Sequence, residues 1–219
     1  MEEIGELDMI NGVAYTYSNE SIFAINAVLS PEKKDKIFSI GCSGCVPLSL
    51  TENAGKVEAY DYDEDQVKYG NARKYFISIG DYDKAFPLDS LEMRVESWRD
   101  NSIEYFFENS ERLNKIRRNI SNLEIVHKNI FDSDIDFTFF NKFYFSNALT
   151  FYSSLREDSL KFIKRLPFGA LIYVSTSGEY LEDVSDERLV IDKPLTDLAL
   201  EESYGIGFSW NPSVLRKVA

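Results

Sequence analysis

Five short segments rich in β-branched and aromatic residues recur along the chain, and helical stretches separate them. This alternation is typical of a parallel sheet whose strands are joined by crossover helices. We therefore expect a Rossmann-like α/β fold, with a twisted, mainly parallel sheet of about seven strands and helices on both faces. The five predicted strands are Lys36 to Ile40, Lys56 to Tyr60, Leu123 to His127, Lys142 to Phe145 and Leu171 to Thr176. The last, antiparallel strands are expected from Leu189 to Ile191 and Ser203 to Trp210.

Helix signals account for much of the sequence between these strands. Ser18 or Asn19 is the expected N-cap of a first helix, and Asp63 to Ile79 is predicted to form another that stops at Gly80. About sixty residues separate the second and third predicted strands, which is more than a crossover needs. We therefore predict a largely helical insertion at about Asp81 to Asn119, either a lid over a site or two helices packed on an edge.

Composition and charge exclude several classes of protein. The 219 residues suit one domain spanning 1–219, and 44% hydrophobic residues with 28% charged residues support a packed core. A formal net charge of −13 disfavours extended nucleic-acid binding, because such a surface repels phosphates. We predict no membrane span and no signal peptide, since apolar runs are short and the amino terminus is acidic. Two cysteines indicate a reducing compartment, the cytoplasm.

The single histidine, His127, limits the available catalytic chemistry. A Ser-His-Asp triad would have to use it, and a zinc site with several histidines cannot be built. No metal site is predicted. Because His127 ends an alternating run that indicates a strand, we expect its role to be structural.

The most informative segment joins the first predicted strand to a glycine turn and the start of a helix. Gly41-Cys42-Ser43-Gly44 forms this turn, which allows backbone to approach a nucleotide cofactor closely. Asp61 ends the next predicted strand, where an acid commonly binds a ribose diol. The G-x-x-G spacing lacks the third glycine that packs a helix beneath a pyrophosphate. A nucleoside cofactor without phosphates is therefore favoured over a dinucleotide.

The pair Cys42 and Cys45 also forms a C-x-x-C motif, which permits a redox or zinc interpretation. The sequence has no second pair and no histidine at ligand spacing. We therefore favour the alternative that these are small residues packed beneath a cofactor.

These segments resemble the class I S-adenosylmethionine-dependent methyltransferase-fold enzymes. Ile37 to Leu50, together with Asp61, is similar to their first and second motifs. Within that superfamily the chain looks most like the 3-amino-3-carboxypropyltransferases related to betaine-lipid synthesis. The segments that carry this finer resemblance are Tyr17-Ser18-Asn19-Glu20, Ser39 to Cys45, Ala59 to Gln66, Gly80-Asp81-Tyr82 and Ser146-Asn147.

The resemblance implies S-adenosylmethionine as the cofactor and a small-molecule acceptor, an amine, that receives a 3-amino-3-carboxypropyl or a methyl group. Two alternatives stay open: an ordinary methyltransferase, and a non-catalytic partner subunit that only binds the cofactor. The implied cofactor residues are Gly41, Cys42, Ser43 and Gly44 in the loop, Asp61 at the ribose, Tyr62 and Asn129 (or Asp132) at the adenine, and Ser146 with Asn147 at the methionine moiety or acceptor. Asn129 is alternatively a turn cap, and Ser146-Asn147 a turn that ends a strand.

Glu20 and Tyr17 are the catalytic candidates, with Asp63 as a further possible base. We expect Tyr15 to Glu20 and the insertion to close over the cofactor from opposite sides. After the fourth predicted strand, Phe145-Ser146-Asn147-Ala148 stands in place of an Asn/Asp-Pro-Pro-Tyr motif. This difference disfavours enzymes that methylate amino groups of nucleic-acid bases or of protein glutamine.

Overall fold

The computed structural model describes residues 13, 17–18, 20–41, 43–86, 106–132, 134–149, 156–176, 187–203 and 211–218. The strands in these residues are β1 (Lys36–Ile40), β2 (Lys56–Asp61), β3 (Leu123–His127), β4 (Lys142–Ser146), β5 (Leu171–Thr176), β6 (Leu189–Ile191) and β7 (Asn211–Lys217). The α-helices are α1 (Ile22–Leu29), α2 (Cys45–Thr51), α3 (Glu64–Ile79), α4 (Tyr82–Ala85), α5 (Ser110–Asn119), α6 (Arg156–Arg165) and α7 (Lys193–Glu202). None of the helices within these ranges is both long and apolar enough to cross a membrane.

The described strands form one seven-stranded sheet in the order β3-β2-β1-β4-β5-β7-β6. Strands β1 to β5 pair in parallel, whereas β7 is antiparallel to both of its neighbours, β5 and β6. The predicted mainly parallel sheet, and its Rossmann-like α/β class, are confirmed.

The predicted strand from Ser203 to Trp210 is not tested beyond Ser203, and the strand that pairs with β5 and β6 starts after it. Ser203 is the C-cap of α7, residues 204–210 lie outside the described residues, and the strand is Asn211–Lys217. The pattern concealed this strand because Pro212 near its start normally argues against a strand and because Pro212 to Leu215 are all buried. A strand buried on both faces shows no alternation of polar and apolar residues.

Helix caps explain where two of the predicted helices begin and end. The N-cap of α1 is Ser21, whose hydroxyl accepts a hydrogen bond from the Ala24 N–H at 3.2 Å. The predicted caps were wrong: the Ser18 hydroxyl accepts instead from the Glu20 N–H, and Asn19 lies outside the described residues. The α3 prediction is confirmed, since Asp63 caps its start and Gly80 ends it at φ 84°.

Aromatic rings fill one face of the central strands. Phe38 of β1 stacks on Tyr60 of β2 at 4.8 Å between ring centroids and lies 5.5 Å from Phe145 of β4. Phe162 of α6 covers this layer, 4.9 Å from Phe145. Burial of such large rings stabilises the fold and fixes the relative positions of the three strands.

The described part of the insertion is helical. It comprises α4, a helical turn at 106–108 and α5, and residues 87–105 lie outside the described residues. Phe106 is fully buried, 5.5 Å from Phe23 of α1, and the Arg112 guanidinium lies over the Phe106 ring at 4.5 Å. This part therefore packs on neighbouring helices, and the proposed lid remains a prediction.

Candidate functional site

The topology places one edge of the sheet where α/β proteins bind ligands. From β1 the chain continues outward through β2 and β3, and it then returns to pair β4 on the other side of β1. The carboxyl ends of β1 and β4 therefore flank the point at which strand order reverses, which is where open α/β sheets hold their ligands. Gly41 follows β1 at this edge, Asp61 ends β2 and Ser146 ends β4.

Gly41 and Asp61 are in close contact at this edge. The Gly41 N–H donates a hydrogen bond to the Tyr60 carbonyl at 2.7 Å. A Cβ added at Gly41 would lie 3.1 Å from the Asp61 Cβ and 3.5 Å from its Oδ2. The missing side chain therefore lets the backbone after β1 lie directly beside the Asp61 carboxylate, and we call this contact the Gly41–Asp61 cradle.

The glycine loop is a tight turn that leads directly into α2. The Gly44 N–H donates to the Gly41 carbonyl at 2.9 Å, and Gly44 has φ 81°, in the left-handed region. A Cβ at Gly44 would lie 3.2 Å from the Cα of Gly70, so α2 begins in close contact with α3. Both the conformation and the contact require glycine here. Cys42, the other predicted cofactor residue of the turn, lies outside the described residues.

Hydrogen bonds fix the segment that follows Asp61. The Asp61 Oδ1 accepts from the Asp63 N–H at 3.0 Å, and the carboxylate of Asp63 in turn caps α3. Tyr62 is 78% exposed, and its carbonyl is 2.9 Å from the His127 Nε2, which donates when it carries the proton. His127 thus links the segment after β2 to the end of β3, which is a structural role, and Asp63 serves as a helix cap.

Glu20 lies buried against the end of β4. Its Oε1 accepts a hydrogen bond from the Ser146 hydroxyl, and the Tyr144 side chain also bonds to the carboxylate. Its Oε2 is buried and has no partner among the described residues. Burial raises the pKa of Glu20 to about 7, although the bonds from Ser146 and Tyr144 act in the opposite direction. A carboxyl with this pKa can exchange a proton near neutral pH.

Ser146 has a left-handed backbone, φ 49°, at the end of β4, where the pairing with β5 is also irregular. A non-glycine residue in this region is uncommon and concentrates at functional sites. The conformation ends the strand, which is the role that the sequence analysis kept as an alternative, and it allows the hydroxyl to bond to Glu20. Asn147 follows it and is half-buried.

Tyr17 connects the amino-terminal segment to the glycine loop. Its ring lies 4.6 Å from the guanidinium carbon of Arg73, and Arg73 donates to the Ser43 carbonyl at 2.9 Å. Tyr17 and Glu20 therefore lie on a segment that runs from the loop after β1 to the end of β4. Tyr15, where the predicted closing segment starts, is outside the described residues.

Asn129 lies at the same edge of the sheet but on the outer strand. It follows β3 by two residues, is exposed, and its Oδ1 accepts from the Phe131 N–H at 3.0 Å. This is the turn-forming role that the sequence analysis kept as an alternative. The Asp132 carbonyl accepts from Arg165 at 2.8 Å, which ties this turn to α6.

Sequence reasoning missed three residues around the site, Arg73, Tyr144 and Tyr173. Burial raises the pKa of the Tyr173 hydroxyl well above its ordinary value, and the Glu20 charge acts in the same direction. The available signal was the position of Arg73, which follows Tyr69 by four residues and Gly70 by three on the buried side of α3. A cation at an apolar-face position is a reason to look for a special role.

No protein-family model matches the chain, and no curated protein matches it in sequence. Solved structures do match. Geranyl diphosphate C-methyltransferase from Streptomyces coelicolor A3(2), in complex with Mg²⁺, geranyl-S-thiolodiphosphate and S-adenosyl-L-homocysteine, is similar with a TM-score of 0.52 and 14% identity over 90% of this chain and 75% of that one. A structure of geranyl diphosphate methyltransferase in complex with SAM has a TM-score of 0.50 and 16% identity over 90% and 85%. An rRNA methylase from Streptococcus thermophilus has a TM-score of 0.47 and 14% identity over 91% and 98%.

At these identities the similarity establishes the fold. The chain has the Rossmann-like fold of class I S-adenosylmethionine-dependent methyltransferases, with the strand order and the antiparallel seventh strand described above.

Proposed function

We propose that this protein is an S-adenosylmethionine-dependent transferase that acts on a small-molecule amine. The observation that carries the proposal is that the Gly41–Asp61 cradle and the buried Glu20–Ser146 pair both lie at the carboxyl edge of the sheet, at the ends of β1, β2 and β4. The first is suited to a nucleoside, and the second supplies a group that can accept a proton. The strand-order reversal lies between them.

The residues of the cradle fit the cofactor. Gly41 allows a close approach of backbone, the Asp61 carboxylate is the proposed acceptor for the ribose hydroxyls, and the exposed ring of Tyr62 can border the adenine. Ser43, Gly44 and Cys42 would complete the loop around it. Asn129 is the proposed contact to the adenine amino group, and Asn147 is proposed to face the methionine moiety.

S-adenosylmethionine, when bound, supplies a sulfonium whose attached carbons are activated toward nucleophiles. The protein's own task is then to orient the acceptor, to exclude water and to remove a proton from the nucleophile. Glu20 is the proposed base, because its carboxyl is buried and its pKa of about 7 keeps a useful fraction ionised at neutral pH. Ser146 holds the Oε1 atom, which leaves Oε2 for the acceptor N–H. Tyr17 is proposed to stand beside it.

Two observations favour a small amine over a nucleic acid. The chain carries a formal net charge of −13, which repels a phosphate backbone. The segment after β4 also lacks the Pro-Pro-Tyr sequence, and Ser146-Asn147 occupies its place.

The test is turnover with a pool of amines and S-adenosylmethionine, followed by mass spectrometry. Accumulation of S-adenosylhomocysteine would show methyl transfer, whereas methylthioadenosine would show transfer of the 3-amino-3-carboxypropyl group, to which the resemblance of the loop segments points. We expect one of these products with wild-type protein and much less with Glu20→Gln. Label from the cofactor should enter the small-molecule fraction and not added RNA.

Binding without turnover would instead support the non-catalytic partner subunit. Calorimetry with S-adenosylhomocysteine on the same preparations separates this outcome from a failed fold or an absent site. If neither S-adenosylmethionine nor S-adenosylhomocysteine binds, the proposed function is wrong.

A further inference from the structure

A fully buried cation lies beneath the glycine loop. Arg73 of α3 has no exposed surface, and no carboxylate of the described residues forms an ion pair with it. Removing a guanidinium from water is costly unless other groups compensate. The identity of these groups therefore indicates what the arginine does.

The compensating groups come from four separate parts of the chain. Arg73 Nη1 donates to the Ser43 carbonyl at 2.9 Å and contacts the Cys45 Sγ at 2.8 Å, and Nη2 donates to the Tyr69 hydroxyl at 3.2 Å. Three rings also surround the guanidinium carbon, at 4.6 Å for Tyr17, 4.7 Å for Tyr69 and 5.1 Å for Phe86. We call this set of side chains the arginine box.

The bond to Ser43 fixes one peptide plane of the loop. In a trans peptide the carbonyl of one residue and the N–H of the next point in opposite directions. The Ser43 carbonyl is held by Arg73, and the N–H of Gly44 is held by the Gly41 carbonyl at 2.9 Å. Because both ends of this peptide are bonded, it cannot rotate without breaking a charge-assisted hydrogen bond.

The rings of Tyr17 and Phe86 connect the Arg73 guanidinium to the amino-terminal segment and to the insertion. Tyr17 belongs to the segment that leads to Glu20, and Phe86 lies in the insertion, stacked on Phe107 at 4.0 Å. Burial acts to lower the pKa of Arg73, but its contacts with Cys45, Tyr69 and Tyr17 outweigh this and leave the pKa raised, so the cation is retained.

We propose that Arg73 is a positioning residue that sets the orientation of the Ser43–Gly44 peptide and couples the glycine loop to the amino-terminal segment and the insertion. The effect of this residue on ligand binding rests on the proposed cofactor site. The effect on the loop itself does not, and it can be measured without a ligand.

The first measurement is hydrogen exchange of the ligand-free protein. We expect the loop amides, Gly44 above all, to exchange at least about tenfold faster in Arg73→Lys, because a single ammonium cannot replace the planar guanidinium fork. Phe76→Leu is the matched control, because Phe76 is a buried ring on the same helix whose described ring contacts are with Tyr75 and Lys84. It should lower the melting temperature without selective acceleration at the loop.

The second measurement is calorimetry with S-adenosylhomocysteine. Arg73→Lys and Arg73→Met should weaken binding by about tenfold or more, and Phe76→Leu by no more than about twofold. If Arg73→Met does not fold, Arg73→Lys and Tyr17→Leu, which removes one ring of the arginine box, decide the question. Unchanged loop exchange in folded Arg73→Lys would overturn the inference. Failure of wild-type protein to bind would overturn the proposed function and leave the exchange result standing.

Discussion

At the scale of single residues, Glu20 is buried, and its Oε2 has no hydrogen-bond partner within the described ranges. Its carboxyl has a pKa near 7 when folded and about 4.5 when unfolded, so the folded state binds its proton more tightly. Protonated Glu20 therefore contributes its full stabilisation below pH 4.5, the pKa in the unfolded chain. This contribution is lost as the pH rises through the folded pKa of about 7. The difference amounts to about 3 kcal/mol, at about 1.4 kcal/mol for each pH unit.

We therefore predict opposite pH effects on stability and on turnover. Between pH 5 and pH 8, wild-type protein should lose stability relative to Glu20→Gln, whose neutral amide does not titrate, in denaturant melts at several pH values. The rate should rise over the same range with a midpoint near pH 7, because the ionised form of Glu20 is the base. A pH-independent stability difference would show that Glu20 is ordinarily ionised in the folded protein.

Asp61 offers a test of the cradle. Asp61→Ala should weaken binding of S-adenosylhomocysteine by about 1–3 kcal/mol, because the ribose loses a charged acceptor. Asp61→Asn retains an oxygen that can accept from the Asp63 N–H, and it should keep the turn while still losing affinity. Glu64→Ala, an exposed acid at the start of α3, is the control. Equal binding by all three variants in calorimetry would place the site elsewhere.

At the scale of elements, the start of α2 lies in close contact with the middle of α3. Gly44 and Gly169 share φ 81°, but a Cβ at Gly44 would lie 3.2 Å from the Gly70 Cα, whereas a Cβ at Gly169 would meet no atom of the part of the chain that the structure describes within 4 Å. Substitution of Gly169 therefore measures the loss of stability from the backbone conformation alone. Substitution of Gly44 adds the loss from the steric contact with Gly70.

We predict that Gly169→Ala lowers the free energy of unfolding by about 1–2 kcal/mol, because alanine is strained in the left-handed region. Gly44→Ala should lower it clearly more. Chemical denaturation measures both. Gly44→Ala should also weaken cofactor binding, because α2 must move away from α3. Equal losses of stability in the two variants would mean that the helices adjust without cost.

The elements also show which parts of the structure the sequence reveals. The five central strands, α3 with both of its caps and the Gly41–Asp61 contact follow from patterns within short windows. Strand β7 does not follow from such a pattern, because its burial on both faces removes the alternation of polar and apolar residues. The arginine box does not either, since residues 17, 43, 69 and 86 meet only in three dimensions.

At the scale of the whole molecule, the two edges of the sheet have different roles. The carboxyl edge carries the candidate site, whereas the amino edge carries a buried polar cluster. There Asp35 binds Lys142 of β4 at 2.6 Å and the Asn141 amide at 2.8 Å. Burial acts to raise the pKa of Asp35, but the hydrogen bonds from Lys142 and Asn141 act in the opposite direction. Together with the other bonds and charges around Asp35 they outweigh the effect of burial, so the pKa is lowered.

We predict that Asp35→Ala lowers the free energy of unfolding by about 2 kcal/mol or more, because it leaves the Lys142 ammonium without its carboxylate partner. Lys34→Ala, at an exposed neighbouring ion pair, should change it little. The stabilisation by Asp35 should be present above 3.8, the pKa of this carboxyl in the unfolded chain. It should be lost as the pH falls through the lower pKa of the folded state. Binding of S-adenosylhomocysteine by folded Asp35→Ala should be unchanged, since the cluster lies at the opposite edge of the sheet.

The position of β7 bears on how the protein folds as it is synthesised. This strand follows all the other described strands along the chain, yet it lies inside the sheet, between β5 and β6. Before residues 211–217 leave the ribosome, β6 has no strand to pair with and β5 presents an open, largely apolar edge. A nascent chain paused before this strand should therefore bind chaperones and resist compaction, and completion of the sheet should be a late step of folding.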